Sequence, residues 1–187
     1  MHRVLRLVVT ATCFVPALAL AQASKDAPKV NLPAAVPVVP ERTTATFGDW
    51  TLRCEAAVAP AKRICEVALG ITQQGQTNPI AQVAIGKPGP SESRRMTVVL
   101  PTNIAITTNP HVSIAKAGAA PLELSWQRCT SGACFAFVPL SDEAANVLSG
   151  QSEPGHIVFK NAADRETTIS LSFRGLSQAL TALTKEQ

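Results

Sequence analysis

Cys54, Cys65, Cys129 and Cys134 fall into two close pairs, and they constrain the fold more than any other feature of the chain. Bridged cysteines need Cα atoms within about 7 Å, so a bridge inside each pair would fix two hairpins before any packing is considered. Whether they bridge depends on where the chain resides. Arg3 and Arg6 open the sequence, an apolar run extends from Leu7 to Leu20, and Ala19 and Ala21 form an A-x-A pattern before Gln22. This is the anatomy of a secretory signal peptide over residues 1–21, too short and wrongly flanked for a membrane span. Cys13 lies inside it as an apolar residue of a discarded segment. In an oxidising compartment an even set of cysteines reads as a disulfide framework, with three connectivities open.

Strand faces choose among them. With Cys54 opposite Cys65 in an antiparallel hairpin, Leu52 faces Val67 and Trp50 faces Leu69, so that all six share one apolar face. The Cys54–Cys65 bridge is therefore expected against the core. With Cys129 opposite Cys134 around "TSGA", Trp126 falls opposite Phe137 on the core face, and the cysteines lie outside with Gln127 and Ala136 unless a bulge intervenes. In the chain-entropy picture the two closures contribute roughly 3 and roughly 2 kcal/mol. A zinc site is disfavoured because the usual C-x₂₋₄-C pair is not repeated and the compartment favours bridges. A redox centre would be expected to carry C-x-x-C at a helix start.

Alternation extends along most of the chain. In "TTISLSF" Ile169, Leu171 and Phe173 alternate with hydroxyl residues, and "LELSWQ" repeats the pattern with Leu122, Leu124 and Trp126. Further strands are expected at Trp50–Glu55, Ile64–Thr72, Ile80–Ile85, Met96–Leu100, Val112–Ala115, Cys134–Val138 and Ile157–Lys160, divided by turn clusters such as "GKPGPSES". So many short strands indicate an antiparallel β-sandwich. Two helices interrupt it. "SDEAANVLSG" offers Ser141 as N-cap and Gly150 as stop, and the tail places Leu176, Ala179, Leu180 and Leu183 on one stripe that should dock on the sheet. Before the strands, residues 22–44 carry Pro28, Pro33, Pro37 and Pro40 and read as a semi-rigid spacer, leaving residues 45–187 as one domain.

Charge narrows the partners. Cleavage after Ala21 removes two of the 17 basic residues and none of the 13 acidic ones, so the formal charge falls from +4 to +2. That balance is no footprint for nucleic acid or an anionic membrane. The basic pairs Lys62/Arg63 and Arg94/Arg95 flank strands, as solubilising charge or as a partner-contact patch. The histidines beyond the signal, His111 and His156, stand beside turn residues, and no P-loop, H-E-x-x-H or G-x-S-x-G motif is present. "SGQSEPGH" holds Ser, Glu and His, but a triad needs mutual geometry that proximity in sequence does not show, and loop polarity explains the stretch better. No catalytic residue, metal ligand or cofactor is assigned.

"FGDWTLRCE", "CEV", "WQRCTSGAC", "VPLSDE" and "ISLSFRGLSQALTAL" occur in that order. Together they resemble the invasion-associated locus B family of exported bacterial proteins, over about residues 46–184. Trp126 stands where a smaller aromatic would be expected. The resemblance implies an immunoglobulin-like β-sandwich that is periplasmic, outer-membrane-associated or secreted, with a role in host-cell invasion and no catalytic residues to carry over. The reading from sequence is a non-enzymatic binding protein of the envelope, meeting a protein partner there or on a host cell. The alternatives are a periplasmic housekeeping module acting on other envelope proteins and a hydrolase with an unrecognised site.

The cysteine argument predicts no free thiol in the mature protein. Thiol titration of denatured, unreduced protein should read zero, and peptide mapping should join Cys54 to Cys65; a Cys54–Cys129 peptide would overturn the strand pairing.

Overall fold

The computed structural model describes residues 42–56, 63–89, 91–115 and 119–186. The expected signal peptide, and the spacer as far as residue 41, lie outside the described residues. Among the described residues, eleven strands and two helices follow in the order β1 (Arg42–Phe47), β2 (Trp50–Glu55), β3 (Ile64–Thr72), β4 (Pro79–Gly86), β5 (Arg95–Leu100), β6 (His111–Ser113), β7 (Leu122–Glu123), β8 (Ser125–Cys129), β9 (Cys134–Pro139), α1 (Asp142–Ser149), β10 (Gly155–Lys160), β11 (Glu166–Leu171) and α2 (Leu176–Glu186). One sheet has the order β1-β2-β3-β4-β5-β9-β8 and the other β11-β10-β6-β7, with every pairing antiparallel. This is the sandwich that the alternation implied.

The β2–β3 hairpin has the anticipated register, with Cys54 opposite Cys65 and Leu52 opposite Val67. Trp50, Leu52, Cys54, Cys65, Val67 and Leu69 are all buried in one core with Val83, Ile85, Met96 and Val98 of the same sheet. Val112, Ile157, Phe159, Ile169 and Leu171 close that core from the second sheet. Helix α2 lays Leu176, Ala179, Leu180 and Leu183 into it and packs on β1, β2 and β3. Each buried leucine there stabilises the docking by about 1.5–3 kcal/mol relative to exposure. Helix α1 is capped as its sequence requires: the Ser141 hydroxyl accepts from the Ala144 amide at 3.1 Å, and Gly150 N–H donates to Asn146 O at 3.0 Å.

Three sequence expectations need correction. Between Trp126 and Arg128 a bulge shifts the β8–β9 register, so Trp126 lies opposite Ala136 instead of Phe137. Cys134 and Ala136 therefore point into the core at 2% and 0% exposure, and Phe135 and Phe137 point out of it. One extra residue in a strand moves every side chain beyond it to the other face. Second, "LELSWQ" is two strands. Leu122–Glu123 pairs with β6 in the smaller sheet, Leu124 is buried at the crossing with its N–H on Pro110 O, and Ser125 begins β8 in the larger sheet. Third, Arg42, Thr43 and Thr44, read from sequence as the end of the spacer, are β1 residues paired with Glu55, Cys54 and Arg53. The face of "RTTATF" that carries Thr43, Ala45 and Phe47 is only weakly apolar, which hides its period.

A clasp joins the first turn of the domain to its last. Gly48 and Gly175 both hold positive φ, 58° and 87°, where L-residues are strained. A Cβ at Gly48 would come within 2.6 Å of Arg174 O, and one at Gly175 would overlap Phe47 O. This close approach lets Asp49 N–H donate to Arg174 O at 3.0 Å and the Trp50 indole N–H donate to Ser172 O at 3.0 Å. The Asp49 carboxylate accepts from the Ser172 hydroxyl at 2.6 Å, from Arg174 Nε at 3.1 Å and from Arg174 Nη2. The Arg174 guanidinium, and then the Ser172 hydroxyl, hold the Asp49 carboxyl below the usual carboxylate range.

A carboxylate with a depressed folded pKa adds stability that is complete above its ordinary range and is lost as pH falls through that range toward the depressed value. Asp49→Asn should therefore melt below wild type near neutral pH, and the gap should narrow as pH drops below about 4. Thermal melts of both proteins across this range check it; a gap constant with pH would mean that Asp49 acts by shape alone.

Candidate functional site

The face of the larger sheet turned away from the core is uncovered among the described residues, and its chemistry divides in two. Across β1, β2 and β3 the arginines are paired. Arg42 meets Glu55 at 2.8 Å and Arg53 meets Glu66 at 2.6 Å. The ladder then runs Thr51, Ala68, Ala84 and Thr97 from strand to strand, a band of small side chains that leaves the surface flat. Beyond it stand Phe135 and Phe137, half-buried, with Val99 and Thr97 opposite them on β5. The Arg95 guanidinium carbon lies 4.6 Å from the Phe137 ring centroid, and that of Arg128 lies 5.2 Å from the Phe135 centroid. Stacking a cation on a ring face is worth about 0.5–1 kcal/mol at exposed sites, and it fixes a long side chain in place. The β5–β9 register sets both rings on the outward face opposite Thr97 and Val99, and the bulge in β8 lets Trp126 turn to the core while Arg128 stays outside.

The bridges flank this surface from behind. Cys54–Cys65 joins neighbouring strands inside the core, with both residues at 2% exposure or less. Their sulfurs and the Glu186 carboxylate lie within 4.8 Å of one another, but sulfurs joined to each other offer no thiolate to a metal. Cys129–Cys134 closes the β8–β9 hairpin, with Cys134 buried and Cys129 exposed at the sheet edge. Inside that turn the Thr130 hydroxyl accepts from the Gly132 and Ala133 amides.

The remaining residues singled out from sequence are dispersed. His111 and His156 sit on β6 and β10 of the smaller sheet; His111 Nδ1 is 4.0 Å from Glu123, and His156 is exposed. Ser149, Ser152, Glu153 and His156 share no hydrogen bond among the described residues, and the Ser149 hydroxyl donates to Asn146 O. The basic pairs split their work: Arg63 donates to Thr43 Oγ1, Arg94 pairs with Asp142 at the start of α1, and Arg95 stacks on Phe137, while Lys62 lies outside the described residues. Sequence reading missed Arg128 and the outward phenylalanines. The signal was there in "RCTSGACFAF", but both faces of β9 are apolar, so alternation alone cannot tell them apart. Clefts also mark the described surface, one of them, of about 390 Å³, on the outward face of β1–β3 beside Arg42, Arg53, Glu55 and Glu66. Another of about 560 Å³ opens between the ends of the sheets beside Ile71, Ile80, Phe159, Asn103 and Asn161, and one of about 270 Å³ lies beside α1 against Val112, Ile114 and Leu122.

The described residues thus form a disulfide-stapled antiparallel sandwich of two sheets, with a broad face of the larger sheet left uncovered among them. The chain belongs to the family described as Invasion associated locus B (IalB) protein, which matches residues 50–184. Among solved structures it is similar to the crystal structure of invasion associated protein B from Bartonella henselae, at 17% identity and a TM-score of 0.63, covering 76% of this chain and 95% of that one. That likeness carries the fold. No curated protein matches the sequence.

Replacing each bridge by a pair of alanines should separate their roles. Cys54→Ala/Cys65→Ala loses roughly 3 kcal/mol of loop closure and leaves unfilled core volume at both positions. Cys129→Ala/Cys134→Ala loses roughly 2 kcal/mol of closure and leaves such volume only at Cys134. Denaturant melts should therefore show the larger loss for the first pair, and the reverse order would contradict the packing assigned to them.

Proposed function

We propose that this protein is an exported, non-enzymatic binding protein of the bacterial envelope that contributes to host-cell interaction through the uncovered face of its larger sheet. The observation that carries the reading is the pair of arginines, Arg95 and Arg128, held on outward-turned phenylalanines of that face. A sheet face that only needed to stay soluble would place polar side chains there. Arginine and aromatic residues are instead the types enriched where proteins meet partners. Family membership supports the setting, and the structural neighbour is itself called invasion associated. The disulfides and the signal-like residues 1–21 support export to the periplasm, the outer membrane or the medium. Among the described residues no helix is long and apolar enough to cross a membrane.

The test compares labelled mature protein with an Arg95→Glu/Arg128→Glu variant in saturation binding to cultured host cells and to isolated envelopes. Saturable binding that falls at least about tenfold in a variant of unchanged thermal midpoint supports the reading, since reversing both charges turns attraction into repulsion. Equal binding by the two proteins would remove this face from the function.

A further inference from the structure

We infer that the Arg95–Arg128 surface recognises an extended acidic peptide segment with carboxylates at alternate positions; this rests on the binding role proposed above. Phe135 and Phe137 are two residues apart on one face of β9, so their rings repeat about 6.7 Å apart along the strand. Arg128 approaches Phe135 from β8, where it is the cross-strand partner, and Arg95 reaches Phe137 from β5. Each guanidinium is thereby held over its own ring, reached from the strand on either side of β9, and the two rings stand one strand repeat apart. An extended chain laid along β9 presents its side chains at i and i+2 with the same repeat. Two of its carboxylates then meet two guanidiniums at once, in the fork geometry that favours paired hydrogen bonds.

Charge complementarity points to acid. On the β1–β3 half of the same face each arginine already has its glutamate, at 2.8 and 2.6 Å. On the β5–β9–β8 half the carboxylate beside Arg95 is Glu92 at 3.9 Å, and Arg128 forms no ion pair among the described residues. A pair at nearly 4 Å between a half-buried arginine and an exposed glutamate holds weakly and yields to a better-placed carboxylate. The floor favours a peptide over a bare anion, because Val99, Phe135 and Phe137 are half-buried and offer apolar contact to the backbone and stems of an extended chain. The small net charge of the mature chain gives a membrane surface little general attraction to add.

The probe is a fluorescein-labelled peptide of alternating Glu and Thr, about twelve residues long, against a second peptide with the same residues in blocks and a third with Gln for Glu. Fluorescence anisotropy with the full mature protein should show saturable binding of the alternating peptide. That binding should weaken about tenfold or more in Arg95→Gln/Arg128→Gln, several-fold on going from about 50 to 200 mM salt, and at least several-fold for the block and Gln peptides. Thermal midpoints of wild type and variant should lie within a few degrees, the loss expected from two surface stacks, and Phe135→Leu should lower affinity while leaving both charges in place. Equal binding of the block peptide overturns the spacing, and equal binding of the Gln peptide overturns the acidic chemistry. Arginine-dependent binding to vesicles of anionic lipid with none to peptide overturns the peptide in favour of a membrane. If cell binding depends on the arginines but no acidic peptide binds or competes, the chemistry fails and the proposed surface stands. If the peptide binds while cell binding ignores the arginines, the chemistry stands and the proposed role of the face fails.

Discussion

The close approach of Gly48 and Gly175 is the constraint on which the rest of the structure depends. Two backbone turns meet without side chains between them, and only then can Asp49 reach Arg174 and the Trp50 indole reach Ser172 O. Trp50 is fully buried, and its N–H would be an unsatisfied donor in the core without that carbonyl. The same contact sets where β11 ends and α2 begins, and so sets the angle at which Leu176, Ala179, Leu180 and Leu183 enter over β1–β3. A shift of this junction would open the core above the Cys54–Cys65 bridge.

Much of this architecture was legible in the sequence, and the failures have a common cause. Where one strand face is apolar and the other polar, as in Trp50–Glu55 against Ile64–Thr72, alternation gave both bounds and register. The helix caps and the α2 stripe were equally plain. Where both faces share a character, alternation lost its power. "RTTATF" sets only Ala45 and Phe47 against four polar residues, too little to mark β1, and "CFAF" is apolar on both faces, so alternation does not orient it. No local pattern marks the bulge between Trp126 and Arg128, because its cause is tertiary: Trp126 is drawn against the core, with its indole N–H donating to Thr108 O at 2.9 Å. The candidate surface was invisible for that reason. The histidines, which sequence placed beside turns, fall on the strands of the smaller sheet.

The two faces of the larger sheet follow different rules. Inward, volume decides, and branched and aromatic residues, Met96, small alanines and the bridged cysteines fill the space together. Outward, the band of Thr51, Ala68, Ala84 and Thr97 keeps the surface level, and Gly86 admits the backbone of β3, since a Cβ there would sit 2.8 Å from Glu66 Cβ. Aromatic residues on such a face would expose apolar area to water, and the stacked arginines reduce that exposure while adding charge.

The separations in sequence of these contacts impose an order of events on the nascent chain. The bridges span 11 and 5 residues, so each can close soon after its second cysteine emerges. The clasp spans 122 to 125 residues, and its C-terminal half arrives only when nearly the whole domain is out. Before then Trp50 has no acceptor at Ser172 and β1–β3 have no α2 to cover them. A chain delivered from its N-terminus therefore has the partners of its stapled hairpins close at hand, whereas the turn at Gly175 supplies contacts that need nearly the whole domain.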